Sequence, residues 1–315
     1  MIDHHPYLTD DIAFSLYARF WLFLISFLPS LIFCILGLCH LLRDRVLRQN
    51  MNNQLIIVLL VNTLLYELLS IPIFLAYYYV GTVRPASPAL CLFWTFIDSG
   101  LFTLALILVA WASIERYILI FHRNLMSTPK KRFFIHYLPL ASIVIYCFVF
   151  HAVTILFPPC ESQFYYDLPL CGRPLCFFDV HFIAIWDTTV NNMLPTLVIV
   201  VVSTALLGRV LFQKHRMHQP IVWRRHRKMM IQLLSVSALY FILYMPPTFV
   251  ELMQLCCIVT SFGAEYQLHA ILFSYYVICL FPFLTAITLS GPALTLRKLF
   301  SSCKKQSVHP TTTTM

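Results

Sequence analysis

The chain has 315 residues, 60 % of them hydrophobic and 11 % charged, with a mean hydropathy of +0.79. Those values exclude an ordinary water-soluble globular protein. A net charge of +9 invites a nucleic-acid reading, but the basic residues sit in short segments between apolar runs, so no nucleic acid is expected as a partner.

The start, MIDHHPYLTDD, is acidic and no small-residue cleavage site follows, so the first apolar run is expected to act as a signal anchor. No Asn-x-Ser/Thr glycan acceptor occurs anywhere. Apolar runs predict spans at 14–41, 54–80, 91–121, 133–157, 180–212, 228–258 and 266–290. A hydrocarbon core of ~30 Å takes ~20 helical residues, and each run is long enough. The fold class predicted is therefore an all-α membrane protein, a seven-helix transmembrane bundle.

Lys and Arg divide unevenly between the two sides. Arg43, Arg45 and Arg48 follow span one; Arg123, Lys130, Lys131 and Arg132 follow span three. Lys214, Arg216, Arg224, Arg225, Arg227 and Lys228 follow span five, and Arg297, Lys298, Lys304 and Lys305 follow span seven. The opposite loops hold Arg84 and Arg173, with Arg19 near the start of span one. The positive-inside rule then places the N-terminus outside and the C-terminus in the cytoplasm of a multi-pass plasma-membrane protein. The expected parts are an outer N-terminus (1–13), the span region (14–290), an amphipathic surface helix (291–303) and a disordered tail (304–315).

In chain order, span one carries Cys34, Gly37 and Cys39. Span two carries Asn53, Asn62, Thr63, Glu67 and Pro72; Glu67 reads as a bundle-facing acid paired with a neighbouring helix. Span three opens at Cys91, crosses a long apolar run with one acid, Asp98, and closes on Glu115-Arg116-Tyr117. An ionisable residue inside a membrane is costly, so Asp98 is a functional candidate by default. Span five carries Asp187, Asn191, Asn192 and Pro195. Span six holds Tyr240, Tyr244, Pro246, Pro247 and Glu251, and a proline there removes a helix hydrogen bond and kinks the chain. Span seven holds Tyr275 and Pro282. His136, His151, His181 and His269 read as interfacial residues rather than ligands.

The outer loop after span four has Cys160, Cys171 and Cys176, on an oxidising side where disulfides persist. Sequence alone leaves their pairing open. Cys34, Cys39, Cys147 and Cys279 lie in apolar runs and read as small hydrophobes. Beyond Pro292, Leu296, Leu299, Phe300 and Cys303 form an apolar stripe beside Arg297, Lys298 and Lys304, the pattern of a helix lying on the inner leaflet. Cys303 is a candidate for palmitoylation.

Seven spans, a cysteine 25 residues before the Arg of Glu115-Arg116-Tyr117, and prolines Pro72, Pro195, Pro246 and Pro282 resemble rhodopsin-like (class A) G-protein-coupled receptors. The departures resemble a divergent, invertebrate-type member. Ile35 stands at the best match for the family's span-one Asn, Thr63 for its sodium-binding Asp, Tyr244 for its span-six Trp, and Phe281-Pro282-Phe283-Leu284-Thr285 for Asn-Pro-x-x-Tyr. The resemblance implies a disulfide from Cys91 to Cys171 or Cys176, a heterotrimeric G protein as partner, no enzymatic activity, no cofactor and no metal. It implies a resting state in which Arg116 pairs with Glu115, and a switch in which span six swings at Pro246. The family's acid at the inner end of span six is replaced by His226 and Arg227, so basal activity is expected.

Asp98 lies seven residues past Cys91, where amine receptors of the family carry an Asp, and Tyr275 matches their span-seven Tyr, placed to orient the carboxylate. The expected ligand is cationic, an amine, diamine or basic peptide, meeting Asp98, Phe102, Asp187, Asn191, Tyr244, Glu251 and Tyr275. The plain alternative is an Asp98 satisfied by Tyr275 or His269 that never touches ligand. The alternative functions are a chemosensory receptor for an unrelated small molecule and an ion-coupled transporter built on Glu67, Asp98, Asp187 and Glu251.

Overall fold

The computed structural model describes residues 15–122, 128–157, 163–172, 180–217, 231–232, 234–256 and 272–290. Among them, six helices are long and apolar enough to cross a membrane: α1 (Leu16–Arg43), α2 (Asn53–Val80), α3 (Pro88–Phe121), α4 (Pro129–Leu156), α5 (His181–Arg209) and α6 (Leu234–Leu255). A shorter apolar helix, α7 (Leu272–Ile287), completes the bundle. These bounds lie within a few residues of the predicted spans, except that α6 and α7 are described over shorter stretches. The calls at 1–13, 291–303 and 304–315, and those on Cys160, Cys176, His226, Arg227, His269 and Cys303, fall outside the described residues.

Local chemistry starts the helices. Ser15, Ser87 and Thr128 each accept a backbone N–H three residues on, and Pro88 and Pro129 occupy first-turn positions where a missing N–H costs nothing. Asp44 caps a short helix, Arg45–Gln49, joining α1 to α2. Gly81 ends α2 at φ 81°, a left-handed conformation open to glycine.

Prolines set the irregular turns. Wide i→i+5 turns at Phe133–Tyr137 in α4, Asp187–Met193 in α5 and Tyr240–Tyr244 in α6 each end one residue before the last residue preceding a proline: Pro139, Pro195 and Pro246. The proline offers no N–H and its ring crowds the carbonyl four residues back, so the preceding turn widens. In α2 the break falls at Ser70, just before Pro72.

α3 is the axis of the bundle. It packs against α2, α4 and α5, and 67 % of its most apolar stretch is buried, against 22 % for the peripheral α4. α1 packs on α2 and α7. Its Ile25, Leu28, Ile32 and Ile35 point outward at helical spacing, while Phe23, Phe27, Ser30 and Cys34 face the core. Ile35, the best match for the family's span-one Asn, faces outward, and Cys34 beside it faces the core, its thiol on the Leu60 carbonyl at 3.3 Å.

Cys91 is bonded to Cys171, which resolves the two pairings left open. The bridge draws residues 163–172 over the mouth between α2 and α3. Val83 N–H donates to the Tyr166 carbonyl at 2.8 Å, and the Tyr77 hydroxyl to the Asp167 carbonyl at 2.9 Å. Leu170 and Cys171 are buried with φ of 54° and 55°, a conformation costing about 1–2 kcal/mol per residue that only external ties hold. Cys91→Ser and Cys171→Ser are each expected to destabilise by about 2–5 kcal/mol, with the double variant no worse than either. Thermal melting of the three purified variants checks this.

Candidate functional site

Two polar centres lie at opposite ends of α3. At the disulfide end, Asp98 is 4 % exposed. Its Oδ1 accepts from the Tyr66 hydroxyl at 2.5 Å and the Ser70 hydroxyl at 2.8 Å, and its Oδ2 from the Tyr275 hydroxyl at 3.1 Å. The Trp94 indole N–H donates to the Ser70 oxygen at 3.3 Å. Three helices thus converge on one carboxylate, and the hydroxyl dipoles offset part of the cost of burying it.

Tyr275 was expected at this acid, and the structure places it there. Tyr66 and Ser70 were not foreseen. Their four-residue spacing puts them on one helical face, which is the signal that would have found them.

Phe102, one turn further along α3, packs on Tyr244 and Tyr275 with ring centroids 4.9 and 6.2 Å away. The Tyr244 hydroxyl donates to Asn192 Oδ1 at 2.5 Å, joining α6 to α5. Asp98, Phe102, Tyr244 and Tyr275 therefore form one cluster. Asp187 and Asn191 belong to another: the Asn191 amide donates to Asp187 Oδ1 at 2.7 Å, the Tyr146 hydroxyl to Asn191 Oδ1 at 2.7 Å, and the Trp186 indole to the Tyr146 oxygen at 3.2 Å. A cleft of ≈ 770 Å³ beside them is lined by Ile145, Tyr146, Val149, Phe182 and Trp186 among others. Glu251 is half-buried, two turns past Tyr244. Pro246 is half-buried and Pro247 buried, directly after the wide turn of α6. Pro282 lies within α7, its carbonyl accepting from the Thr285 hydroxyl at 2.8 Å.

At the far end, Glu115 and Arg116 are 2 % and 6 % exposed. Glu115 and Arg116 attract each other electrostatically, but the expected pair does not close to salt-bridge distance. Glu115 Oε1 lies 2.8 Å from His136 Nδ1 on α4, and its Oε2 has no hydrogen-bond partner. His136 Nε2 in turn meets Gln54 Oε1 of α2 at 3.1 Å. The sequence reads His136 and His151 as interfacial rather than as ligands. Both are buried, and His151 Nδ1–H donates to the Cys147 carbonyl at 2.8 Å. The wide turn at Phe133–Tyr137 holds His136 at this junction. Tyr117 is half-buried, and the Arg209 guanidinium stacks over it at 5.3 Å. A double-mutant cycle between Glu115→Gln and His136→Asn is expected to give a coupling of about 1 kcal/mol or more in thermal unfolding, and the cycle between Glu115→Gln and Arg116→Gln a smaller one.

Glu67 is fully buried, its Oε1 accepting from the Ser30 hydroxyl of α1. That agrees with the reading of a bundle-facing acid held by a neighbouring helix.

A family model described as 7 transmembrane receptor (rhodopsin family) matches residues 35–284. A search of curated proteins finds no match.

Proposed function

Since the chain belongs to the rhodopsin family of seven-transmembrane receptors, we propose that it carries a signal from a cationic ligand at its disulfide end to a heterotrimeric G protein at the far end. As a member of that family it is a multi-pass membrane receptor acting through G proteins, not an enzyme or a transporter. In this reading the disulfide end is extracellular and the basic loops and C-terminus are cytoplasmic, by the positive-inside asymmetry.

Asp98 is satisfied by three hydroxyls, Tyr275 among them, as the plain alternative expects; what supports the proposal is where those donors sit. They come from α2 and α7, so whatever competes with them acts on helix packing. An ammonium group is a stronger partner for a carboxylate than a neutral hydroxyl. On arrival it displaces one donor, and Tyr275 has the longest of the three bonds. Freed Tyr275 changes the packing on Phe102, which touches Tyr244 at the end of the wide turn of α6. Pro246 follows, and there α6 bends. The ligand shifts the equilibrium only by binding the bent state better than the resting one.

At the cytoplasmic end the shift exposes Arg116 to the C-terminal helix of a Gα subunit. At the ligand end Glu251 on α6 is a further candidate contact, while Asp187 and Asn191, hydrogen-bonded to each other and, through Asn191, to Tyr146, stay outside the Asp98 cluster; in this reading Cys303 anchors the tail through palmitate. The test is a ligand panel of amines, diamines, basic peptides, neutral molecules and carboxylates with nucleotide exchange as readout. Activation confined to cationic members supports the reading; activation by neutral or anionic members alone points to the chemosensory alternative.

A further inference from the structure

Arg19 is a buried charge that, like Glu67, this mechanism leaves unused. It lies in the first turn of α1, four residues after the Ser15 cap, and is 4 % exposed. Its Nε and Nη2 are buried with no hydrogen-bond partner, and no ion pair to it forms among the described residues. Those two nitrogens make up one edge of the guanidinium, where two N–H bonds point in parallel. That edge matches the two oxygens of a carboxylate or phosphate.

The surroundings place this edge at the ligand end. One turn below Arg19, Phe23 packs with Phe74, Tyr78, Tyr275 and Tyr276 at centroid distances of 6.2, 5.6, 6.4 and 5.5 Å. This aromatic cluster shares Tyr275 with the Asp98 cage. Arg19 is in electrostatic range of Tyr77 and Tyr78, and Tyr78 is also in range of Asp98. Tyr77 is tied to the loop that the Cys91–Cys171 bridge draws over the bundle. A buried guanidinium without a counter-charge costs several kcal/mol, and an apolar side chain would pack here at no such cost.

We propose that Arg19 receives an anionic group, carboxylate or phosphate, of the molecule bound at the disulfide end. With Asp98 taking the cation, the ligand is ampholytic. Ser70 at the cage and Tyr78 beside Arg19 are eight residues apart on α2, so the two charged groups lie on the order of 10 Å apart along the bundle. The anion site at Arg19 rests only on the disulfide end being the ligand end; the ampholytic character of the ligand rests in addition on Asp98 contacting it.

The experiment is thermal melting of the purified full-length receptor in a neutral detergent, titrated with acetate, inorganic phosphate or, at equal ionic strength, chloride. Acetate and phosphate are expected to raise the melting temperature saturably by about 2 °C or more, chloride to leave it unchanged. Arg19→Gln and Arg19→Met abolish the rise, and in chloride Arg19→Met melts higher than the wild type because an unpaired charge is gone. Asp98→Asn keeps the anion response, so the anion and cation readings fail separately. An equal rise in wild type and Arg19→Gln overturns the proposal. So does a shift seen only in nanodiscs containing phosphatidylserine and not in phosphatidylcholine, which assigns the anion to a lipid headgroup. No anion response in wild type, appearing once Asp10→Asn and Asp11→Asn are introduced, overturns it in favour of a carboxylate of the chain itself.

Discussion

Arg116→Ala is expected to reduce G-protein nucleotide exchange to the level of a receptor-free control while leaving surface expression and ligand binding close to wild type. Arg116 is 6 % exposed at the far end of α3, so its guanidinium gives up solvation that a snorkelling side chain would keep. A purely interfacial role needs no such burial. The Glu115 carboxylate is taken up by His136, and the ion pair expected at rest does not close to salt-bridge distance. The guanidinium therefore has its donors to offer to the unsatisfied carbonyls at the C-terminus of a Gα helix, where about half a negative charge accumulates. Surface expression is measured alongside, because truncating a buried arginine also removes packing. Arg116→Lys keeps the charge but loses the planar fork and is expected to fall between the two. Normal exchange by Arg116→Ala would remove this residue from the coupling machinery.

Asp98→Asn is expected to lower agonist potency tenfold or more, worth ~1.4 kcal/mol, with little change in expression. Asn keeps the volume of the side chain and one acceptor oxygen, so Tyr66 and Ser70 retain their partner at Oδ1. The charge that attracts a cation is gone. Tyr275→Phe removes one of three donors while leaving the charge, and a smaller loss, or a rise in basal exchange, is expected from it. Dose–response curves on the three receptors distinguish the cases. A neutral or anionic agonist to which Asp98→Asn responds normally contradicts the assignment.

Much of this arrangement was legible because membrane burial makes each polar residue conspicuous. The spans follow from apolar run length alone. Asp98, Glu115 and Arg116 stand out as charges within one run, and Tyr275 was reached through the spacing to Pro282. Partners on other helices were not legible in the same way. Tyr66, Ser70 and His136 depend on which face each helix turns inward, and that depends on irregular turns. The wide turn before Pro139 offsets His136 relative to a regular helix, and the break before Pro72 does the same around Ser70. The outward turn of Ile35 was hidden for a related reason: in a helix facing lipid on one side and protein on the other, both faces are apolar, so composition does not mark the inward one. Arg19 was counted as a loop-proximal charge, and its burial appears only when α1, α2 and α7 are assembled.

The most direct test of the central claim is nucleotide exchange on purified G-protein heterotrimers by the receptor reconstituted in lipid vesicles without ligand. The account predicts exchange above that of receptor-free vesicles, because the sequence has His226 and Arg227 where the family resemblance would lead one to expect an acid that pairs with Arg116. It predicts that Arg116→Ala abolishes this excess. Exchange equal to the receptor-free control across the Gα classes, or an excess that survives Arg116→Ala, would contradict it.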